Sequence, residues 1–418
     1  MMQKSKSEPS SNRFASPLML LNESKRRQST GVVIKRAASS LSQATKLTSQ
    51  SFSKVGENVW RSPGCYEIPN ILGHAYLKPD PPVAFDLRPL NLLKQISKKP
   101  WYPPNPYYEA PPLPPLSRSG NKLEAKIRKM LPKISIRSSD PRTRYAQFKE
   151  IGTGVNGAVI RANYRKKQGQ QCAIKRCRLD PDLEYRAAIL RELRIMATGH
   201  ANLIKLREIS LWRDDIWISM DLMRCSVFAV LCQRGIPEAH TIFITRETLK
   251  GLIYLHSKGY LHRDIKCENL LLGWHGEVKL ADFGLSAKTN CRHRDRLGTS
   301  KWMAPEVIRE DYYTEKIDMW SLGIAVIEMM DRVPPHYLIK DETELFSVIT
   351  SEPSPTFTYS YPSMYMRGLV AWLLDEDPKT RPNAKDVLLE IDTHIQRHLL
   401  PCSSPIELAH FMNQVLKA

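Results

Sequence analysis

The distribution of apolar residues along the chain changes at Tyr145. Short β-like runs come first after this point, at Phe148–Ile151, Ala158–Ala162 and Gln171–Lys175. A helical run follows over Leu183–Met196, and beyond Met223 the pattern is mainly helical. A small sheet with one helix, followed by a larger helical body, predicts an α+β fold with two lobes. The sequence contains no internal repeat.

The first 140 residues differ in composition from the rest. Ser and Thr dominate residues 5–53, and 18 of the 30 prolines lie before residue 143. Residues 1–142 hold 24 Lys and Arg against 9 Asp and Glu, so most of the formal net charge of +19 belongs here. High charge and low apolar content predict disorder over residues 1–140. Such a segment suits an acidic membrane surface, a nucleic acid or an acidic protein, while a solvated tail is the simpler interpretation.

Two stretches of this front segment are more specific. Pro103–Pro115 favours a polyproline conformation, which docks on aromatic grooves such as that of an SH3 domain. Because Arg118 lies one place off the spacing that orients such ligands, a plain spacer is the alternative. Asn121–Ile136 is basic and partly amphipathic, and Pro132 would interrupt a helix there. We expect it to be a linker, with packing on the folded part of the chain or contact with lipid as alternatives.

Cysteine usage and hydropathy indicate the compartment. None of the eight cysteines forms a Cys-x-x-Cys pair, and no His/Cys cluster has zinc spacing, which is typical of free thiols in a reducing compartment. No apolar run approaches the roughly 18–20 residues that a membrane helix needs. The apolar patch within Met1–Asn22 is too short for a signal peptide. We expect a monomeric protein of the cytosol, with the nucleus as a second location, without specific nucleic-acid recognition.

Three glycines form the pattern Gly152-x-Gly154-x-x-Gly157-x-Val159. Glycines lack a Cβ atom and let backbone amides lie close over phosphate oxygens. A Rossmann loop has the same spelling but opens a helix, whereas the residues after Gly157 continue as a strand. This stretch therefore predicts a hairpin over a nucleotide.

A lysine lies inside the apolar strand Cys172-Ala173-Ile174-Lys175. A buried ammonium is costly without a partner. The expected partners are the α- and β-phosphates of ATP and Glu192, which lies in the middle of the following helical run. The alternative is a surface Lys–Glu pair.

Three further motifs complete an ordered set, Leu261–Asn269 (LHRDIKCEN), Asp282–Gly284 (DFG) and Ala304–Glu306 (APE). Their order and spacing are very specific, and with them the chain resembles the eukaryotic protein kinases. The resemblance implies a bilobal kinase domain over residues 145–399, with an N-lobe at about 145–222 and a C-lobe at about 223–399. We expect residues 400–418 to form a helical tail that packs on the lower lobe.

The resemblance also implies how the residues act. Phosphoryl transfer needs alignment and neutralised charge: Asp264 accepts the proton of the substrate hydroxyl, and Lys266 and Lys175 neutralise phosphate charge. Asn269 and Asp282 hold Mg²⁺ through oxygen atoms. ATP and Mg²⁺ are the implied cofactors, and proteins the substrates. The expected ATP-binding residues are Ile151, Gly152, Thr153, Gly154, Val155, Asn156, Gly157, Ala158, Val159, Ala173, Lys175, Glu192, Met220, Asp221, Met223 and Leu271.

Several features are similar to the serine/threonine kinases. Lys266 lies two residues after Asp264, and Thr299 is similar to the threonine that these kinases bond to the catalytic Asp and Lys. The wider pattern looks most like the PAK family of the sterile-20 group, at Trp302–Val307, Asp318–Gly323, Glu328–Met329 and Asp214–Asp221. This likeness implies that Met220 is the gatekeeper residue, that Asp221–Met223 is the hinge, and that Arg381 pairs with Glu306.

Two departures from the family pattern concern nucleotide contacts and regulation. The hinge exit Met223-Arg224-Cys225-Ser226 lacks the family's Gly-Gly. Residues 1–144 contain no Rho-GTPase-binding signature, so the sequence does not support regulation by small GTPases.

A third departure lies in the activation segment. Four residues before Thr299 the family has a threonine that is phosphorylated, and this chain has Asp295. A phosphothreonine there would pair with Arg263 and add about −1.5 to −2 charge. Asp295 supplies one permanent negative charge, which favours a reduced need for activating phosphorylation; a solvated loop residue is the alternative. Ser300 and Thr289 are further candidate phosphorylation sites.

Two glutamates predict the substrate preference. Glu268 and Glu328 lie where basophilic kinases place carboxylates for an arginine upstream of the phosphoacceptor. Carboxylates bind the guanidinium fork well. We expect a preference for Arg two or three residues before Ser or Thr. The chain itself offers Ser29 and Ser39, each preceded by arginine, for autophosphorylation.

Three other functions compete with an active protein kinase. A pseudokinase scaffold usually lacks the lysine, the catalytic aspartate or the magnesium aspartate, and Lys175, Asp264 and Asp282 are all present. An adaptor role of the front segment is compatible with kinase activity. A small-molecule kinase lacks the Ala304–Glu306 block with its Arg381 partner.

Overall fold

The computed structural model describes residues 118–416, apart from 155–156, 168, 180–182 and 214. The predictions for Pro103–Pro115, for the Ser/Thr-rich stretch and for Val155 and Asn156 therefore lie outside the described residues.

The described chain begins with α1 (Arg118–Met130) and the short strand β1 (Ser135–Arg137). Leu123, Ile127 and Leu131 recur at every fourth position and so share one face, and all three are buried in the main hydrophobic core. The stretch 121–136 therefore packs on the catalytic body, and the expectation of a linker is wrong.

The predicted end of the disordered segment at residue 140 also lies too late, because α1 and β1 precede it. In the prediction of disorder, the high average charge of the front segment outweighed the apolar face of α1. Pro132 does not break this helix, because α1 already ends at Met130, and the proline follows it.

The upper lobe is a six-stranded sheet with one helix. Its elements after β1 are β2 (Tyr145–Gly154), β3 (Gly157–Tyr164), β4 (Gln171–Arg178), α2 (Leu183–Met196), β5 (Leu206–Trp212) and β6 (Asp215–Met220). The strand order is β1-β5-β6-β4-β3-β2, and only β1 and β5 pair in parallel. Gly154 lies opposite Gly157, which confirms a hairpin at the glycine-rich turn. The predicted helical run coincides with α2.

The lower lobe is mainly helical, as predicted. Its elements are β7 (Cys225–Ser226), α3 (Val227–Leu231), α4 (Glu238–Ser257), β8 (Tyr260–Leu261), β9 (Leu270–Leu272), β10 (Val278–Leu280), β11 (Ala287–Lys288), α5 (Pro305–Ile308), α6 (Lys316–Asp331), α7 (Glu342–Ser351), α8 (Met364–Leu373), α9 (Ala384–Gln396) and α10 (Pro405–Val415). Helix α6 is apolar and buried on almost all sides, and it contacts α4 and α8. It is therefore the central helix of this lobe.

The final helix α10 lies within residues 400–418, where a helical tail was predicted. Leu408, Phe411, Met412 and Val415 form its buried face. Within the described part of the chain, none of the helices combines the length and apolar character needed to cross a bilayer.

Candidate active site

A cleft between the lobes holds most of the predicted nucleotide-binding residues. It encloses about 820 Å³, open solvent included, and the predicted residues that line it are Ile151, Gly152, Val159, Ala173, Lys175, Glu192, Met220, Asp221, Asn269, Leu271 and Asp282. Ala158 and Met223 are buried but are not among the lining residues. Thr153, Gly154 and Gly157 belong to the β2–β3 hairpin.

Lys175 on β4 joins the two lobes at this cleft. Its Nζ lies 2.7 Å from Glu192 Oε1 on α2 and 3.2 Å from Asp282 Oδ1. Burial alone would lower the pKa of Lys175, but the carboxylates of Asp282 and Glu192 raise it above its ordinary value. Burial raises the pKa of Glu192, and the ammonium of Lys175 opposes that shift. The pair is a buried contact inside the cleft rather than a surface salt bridge.

Asp264 receives hydrogen bonds from three predicted side chains. Thr299 Oγ1 donates to Asp264 Oδ1 at 2.6 Å, and Asn269 Nδ2 donates to Oδ2 at 2.9 Å. Lys266 Nζ lies 3.0 Å from Asp264 Oδ2 and donates to Thr299 Oγ1 at 2.6 Å. Burial lowers the pKa of Lys266, but the combined attraction of Asp264, Glu268 and Asp282 outweighs this and raises it. The carboxylate is thus fixed in orientation beside a buried cation.

A buried carboxylate holds the catalytic loop in shape. Arg263 has a φ of 69°, a region that residues with a side chain rarely occupy. The backbone N–H groups of His262 and Arg263 donate to Asp318 at 2.9 and 2.8 Å, and His256 Nε2 lies 2.8 Å from it. Burial would raise the pKa of Asp318, but the hydrogen bond to His256 and the positive charges nearby hold it low. The ionised Asp318 therefore stabilises the strained backbone next to Asp264.

The two glutamates predicted to bind a substrate arginine lie close enough to repel each other. Burial, and then the charge of Glu268, raise the pKa of Glu328 well above its ordinary value. Glu328 Oε2 already accepts hydrogen bonds from Trp302 Nε1 at 3.1 Å and from the backbone of Cys267 at 3.4 Å. Both carboxylate oxygens of Glu268 are buried without a hydrogen-bond partner among the described residues. Of the two glutamates, Glu268 is therefore the one whose carboxylate oxygens can accept hydrogen bonds from a substrate arginine.

The activation segment is tied to the catalytic loop through Arg263. Its Nη1 donates to Tyr313 Oη at 2.9 Å, and Tyr313 Oη donates to the carbonyl of Asp295 at 2.9 Å. Its Nε donates to the carbonyl of Leu285 at 2.7 Å. The side chain of Asp295 is 69% exposed, and its Oδ2 lies 4.0 Å from Arg263 Nη1. The carboxylate of Asp295 faces the predicted partner, but the shorter contact belongs to Tyr313.

Glu306 and Arg381 form the predicted pair in the lower lobe. Arg381 Nη1 lies 2.6 Å from Glu306 Oε1, and Nη2 lies 3.1 Å from Oε2. This two-point contact is buried and links α5 to the segment before α9.

Several residues of the site were not assigned from the sequence. Met196, Ile204, Ser226 and Ala281 also line the cleft, as does Glu268, which was predicted to bind a substrate arginine rather than to line the cleft. A pattern of apolar positions cannot distinguish a cleft wall from a core, so most of these give no signal. Asp318 did carry one, since an acid inside the apolar run of α6 needs a partner. The local sequence of Tyr313 gave none.

Comparison with known proteins agrees with this geometry. The protein kinase domain family matches residues 145–390. The serine/threonine-protein kinase STE20 of Saccharomyces cerevisiae is 34% identical over 256 residues, which are 60% of this chain and 27% of that protein. The STE20 kinases of Aspergillus oryzae and Debaryomyces hansenii are 36% identical over 255 residues and 34% over 254, again 60% of this chain, and 30% and 23% of their own lengths.

The chain thus spans less than a third of the length of these relatives. The match of the kinase family covers more than half of the chain and contains the whole cleft. The chain belongs to the protein kinase family, and the relatives that it resembles are serine/threonine-protein kinases of the STE20 type.

Proposed function

We propose that this protein transfers the γ-phosphate of ATP to Ser and Thr hydroxyls of proteins, with Mg²⁺ as the metal. The observation that carries this is the Asp264 carboxylate, bonded by Thr299 and Asn269 and accompanied by Lys266. A hydroxyl placed next to this carboxylate would give up its proton to it, while Lys266 faces the migrating phosphate. Lys175, across the cleft, supplies the charge for the other phosphates.

Asn269 and Asp282 fit a magnesium ion bound together with nucleotide phosphates. The side-chain amide N–H of Asn269 donates a hydrogen bond to Asp264, so Oδ1 of Asn269 can serve as a metal ligand. Asp282 contributes a carboxylate at the wall of the cleft. Mg²⁺ prefers such hard oxygen atoms and usually takes only one or two protein ligands beside phosphates. When bound, it would neutralise charge on the phosphates.

Phosphate transfer to a generic protein substrate, measured with labelled ATP, tests this proposal. Asp264→Asn keeps the shape of the side chain but removes its basicity, so we expect about a 10²–10⁴-fold loss of activity. Binding of ATP should remain, because Asp264 does not line the nucleotide cleft. Absence of transfer by the unchanged protein, with ATP still bound, would instead favour the pseudokinase scaffold.

We further propose a preference for arginine upstream of the phosphoacceptor. The free, buried oxygens of Glu268 are the support, because an unsatisfied carboxylate gains most from a guanidinium donor. A positional peptide library should select Arg two or three residues upstream, and Glu268→Gln should remove that selection. Equal use of all residues at those positions by the unchanged protein would contradict the proposal.

The same specificity makes Ser29 and Ser39 candidate autophosphorylation sites, since arginines precede both. We propose transfer to these serines in the full chain. Mass spectrometry after incubation with ATP and Mg²⁺ would detect the two phosphopeptides, and Asp264→Asn protein is the control without transfer.

A lowered requirement for activating phosphorylation is proposed as well. Arg263 is already held by Tyr313 and faces the negative charge of Asp295. A phosphate is thus not needed to join the activation segment to the catalytic loop. We expect phosphatase-treated protein to keep most of its activity.

A further inference from the structure

The last helix of the chain, α10, is built into the lower lobe although it lies beyond the family match at 145–390. Ser404 and Glu407 form a capping box at its start. The ring of Phe411 stacks on His240 of α4 at 4.7 Å between centroids. The backbone N–H of Ser403 donates to the carbonyl of Ala239 at 3.0 Å. These contacts fix α10 against the start of α4.

Arg224, at the hinge exit, reaches the far end of this helix. Its Nη1 donates to Asn413 Oδ1 at 2.6 Å, and its Nη2 donates to the carbonyl of Met412 at 3.4 Å. The carbonyl of Met412 also accepts the backbone N–H of Leu416 at 2.9 Å, and the carbonyl end of a helix carries partial negative charge. A guanidinium is therefore a favourable partner for this end of α10.

The backbone of Arg224 is connected to the floor of the nucleotide cleft. Its N–H donates to the carbonyl of Leu272 at 2.8 Å. The next two residues form β7, in which Ser226 pairs with Leu271 of β9. Ser226 and Leu271 both line the cleft. A single residue thus touches α10 with its side chain and the cleft floor with its backbone.

We propose that the contact between Arg224 and Asn413 fixes the hinge exit and sets the affinity for the nucleotide, so that both are positioning residues for ATP. The inference rests on the proposed kinase function. Neither side chain lines the cleft, so both act through β7 and β9. If β7 and β9 already have the shape that binds ATP, less conformational freedom is lost on binding, and the affinity is higher. Loss of the contact then weakens ATP binding and leaves the transfer step, at Asp264, unchanged.

Steady-state kinetics of the full chain with Arg224→Ala and Asn413→Ala test the proposal. We expect the KM for ATP to rise about three- to tenfold in each, with kcat within about twofold. The double variant should be no worse than either single one, because both remove one interaction. Asn413→Asp keeps an acceptor for Arg224 and should restore the KM of the unchanged protein.

Arg234→Ala is the matched control. Arg234 lies over the ring of Phe411, 5.8 Å from its centroid, and so contacts the same helix without reaching the hinge. We expect its KM for ATP to stay unchanged. An equal rise of KM in Arg234→Ala, or a KM within twofold in Arg224→Ala and Asn413→Ala, would overturn the inference.

Titration with a fluorescent ATP analogue separates this inference from the proposed function. If the unchanged protein binds the analogue and transfers phosphate, and both variants bind the analogue with the same affinity, only the proposed role of α10 is refuted. An unchanged protein that neither binds the analogue nor transfers phosphate refutes the proposed function itself. Weaker binding of the analogue in Arg224→Ala and Asn413→Ala alone supports the inference.

Discussion

Ile127→Ala tests whether α1 belongs to the folded domain. The Ile127 side chain is fully buried, with 0% exposure, in the core that also contains α2. The substitution removes three carbon atoms, which amounts to roughly 2.4 kcal/mol of lost transfer free energy at about 0.8 kcal/mol per carbon. The cavity left behind adds to this, so the free energy of unfolding should fall by about 2–5 kcal/mol.

Urea denaturation of the full chain, followed by tryptophan fluorescence, measures this loss. Lys126→Ala is the matched control, because Lys126 is the adjacent, exposed position on the same helix, and its effect should stay within about 0.5 kcal/mol. Equal midpoints for the two variants would show that α1 does not pack as described. A loss confined to Ile127→Ala, without a change in the slope with urea, would agree with the structure.

Four further predictions concern the site and the lower lobe. Phosphatase-treated Tyr313→Phe protein should lose about tenfold or more in activity, because a hydrogen bond to a charged group contributes about 1.5–3 kcal/mol. Asp295→Ala should lose at most about fivefold, since exposed ion pairs contribute about 0–1 kcal/mol; equal activity would remove any role of that carboxylate. Burial raises the pKa of Glu268 to about 7, so Glu268 is protonated below pH 7 and ionised above it. The ratio of kcat/KM for peptides with and without upstream Arg should therefore rise from pH 6 to pH 8, and a flat ratio would contradict this. Arg381→Ala leaves the charge of Glu306 buried without its partner, and should lower the free energy of unfolding by about 3–5 kcal/mol. Urea denaturation measures this loss. A loss smaller than that of a conservative Ile127→Val variant, measured beside it, would contradict the prediction.

The centre of the site was predictable because its chemistry permits few substitutes. A lysine in an apolar strand, and acids in short polar motifs between strands, need partners. Lys175 contacts Glu192 as expected, and Asp282 is a second partner that was not predicted. Glycine at 154 and 157 with strand residues after them was enough to distinguish a hairpin from a helix-opening loop.

The supporting contacts were not predictable, because they join residues far apart in the chain through common side-chain types. Nothing in the local sequence of Arg224 indicates Asn413, which lies 189 positions away. Helix α1 was missed for a different reason. Its apolar residues at every fourth position were visible, but the charge averaged over the segment outweighed them.

The strand β1 has a consequence for any shorter version of the chain. It pairs with β5, which would otherwise be the outermost strand of the upper sheet. A chain trimmed at residue 145, where the family match begins, would leave the unpaired N–H and C=O groups of β5 open to a strand from another molecule. Trimming there should therefore promote self-association, whereas a start before Arg118 keeps that edge covered.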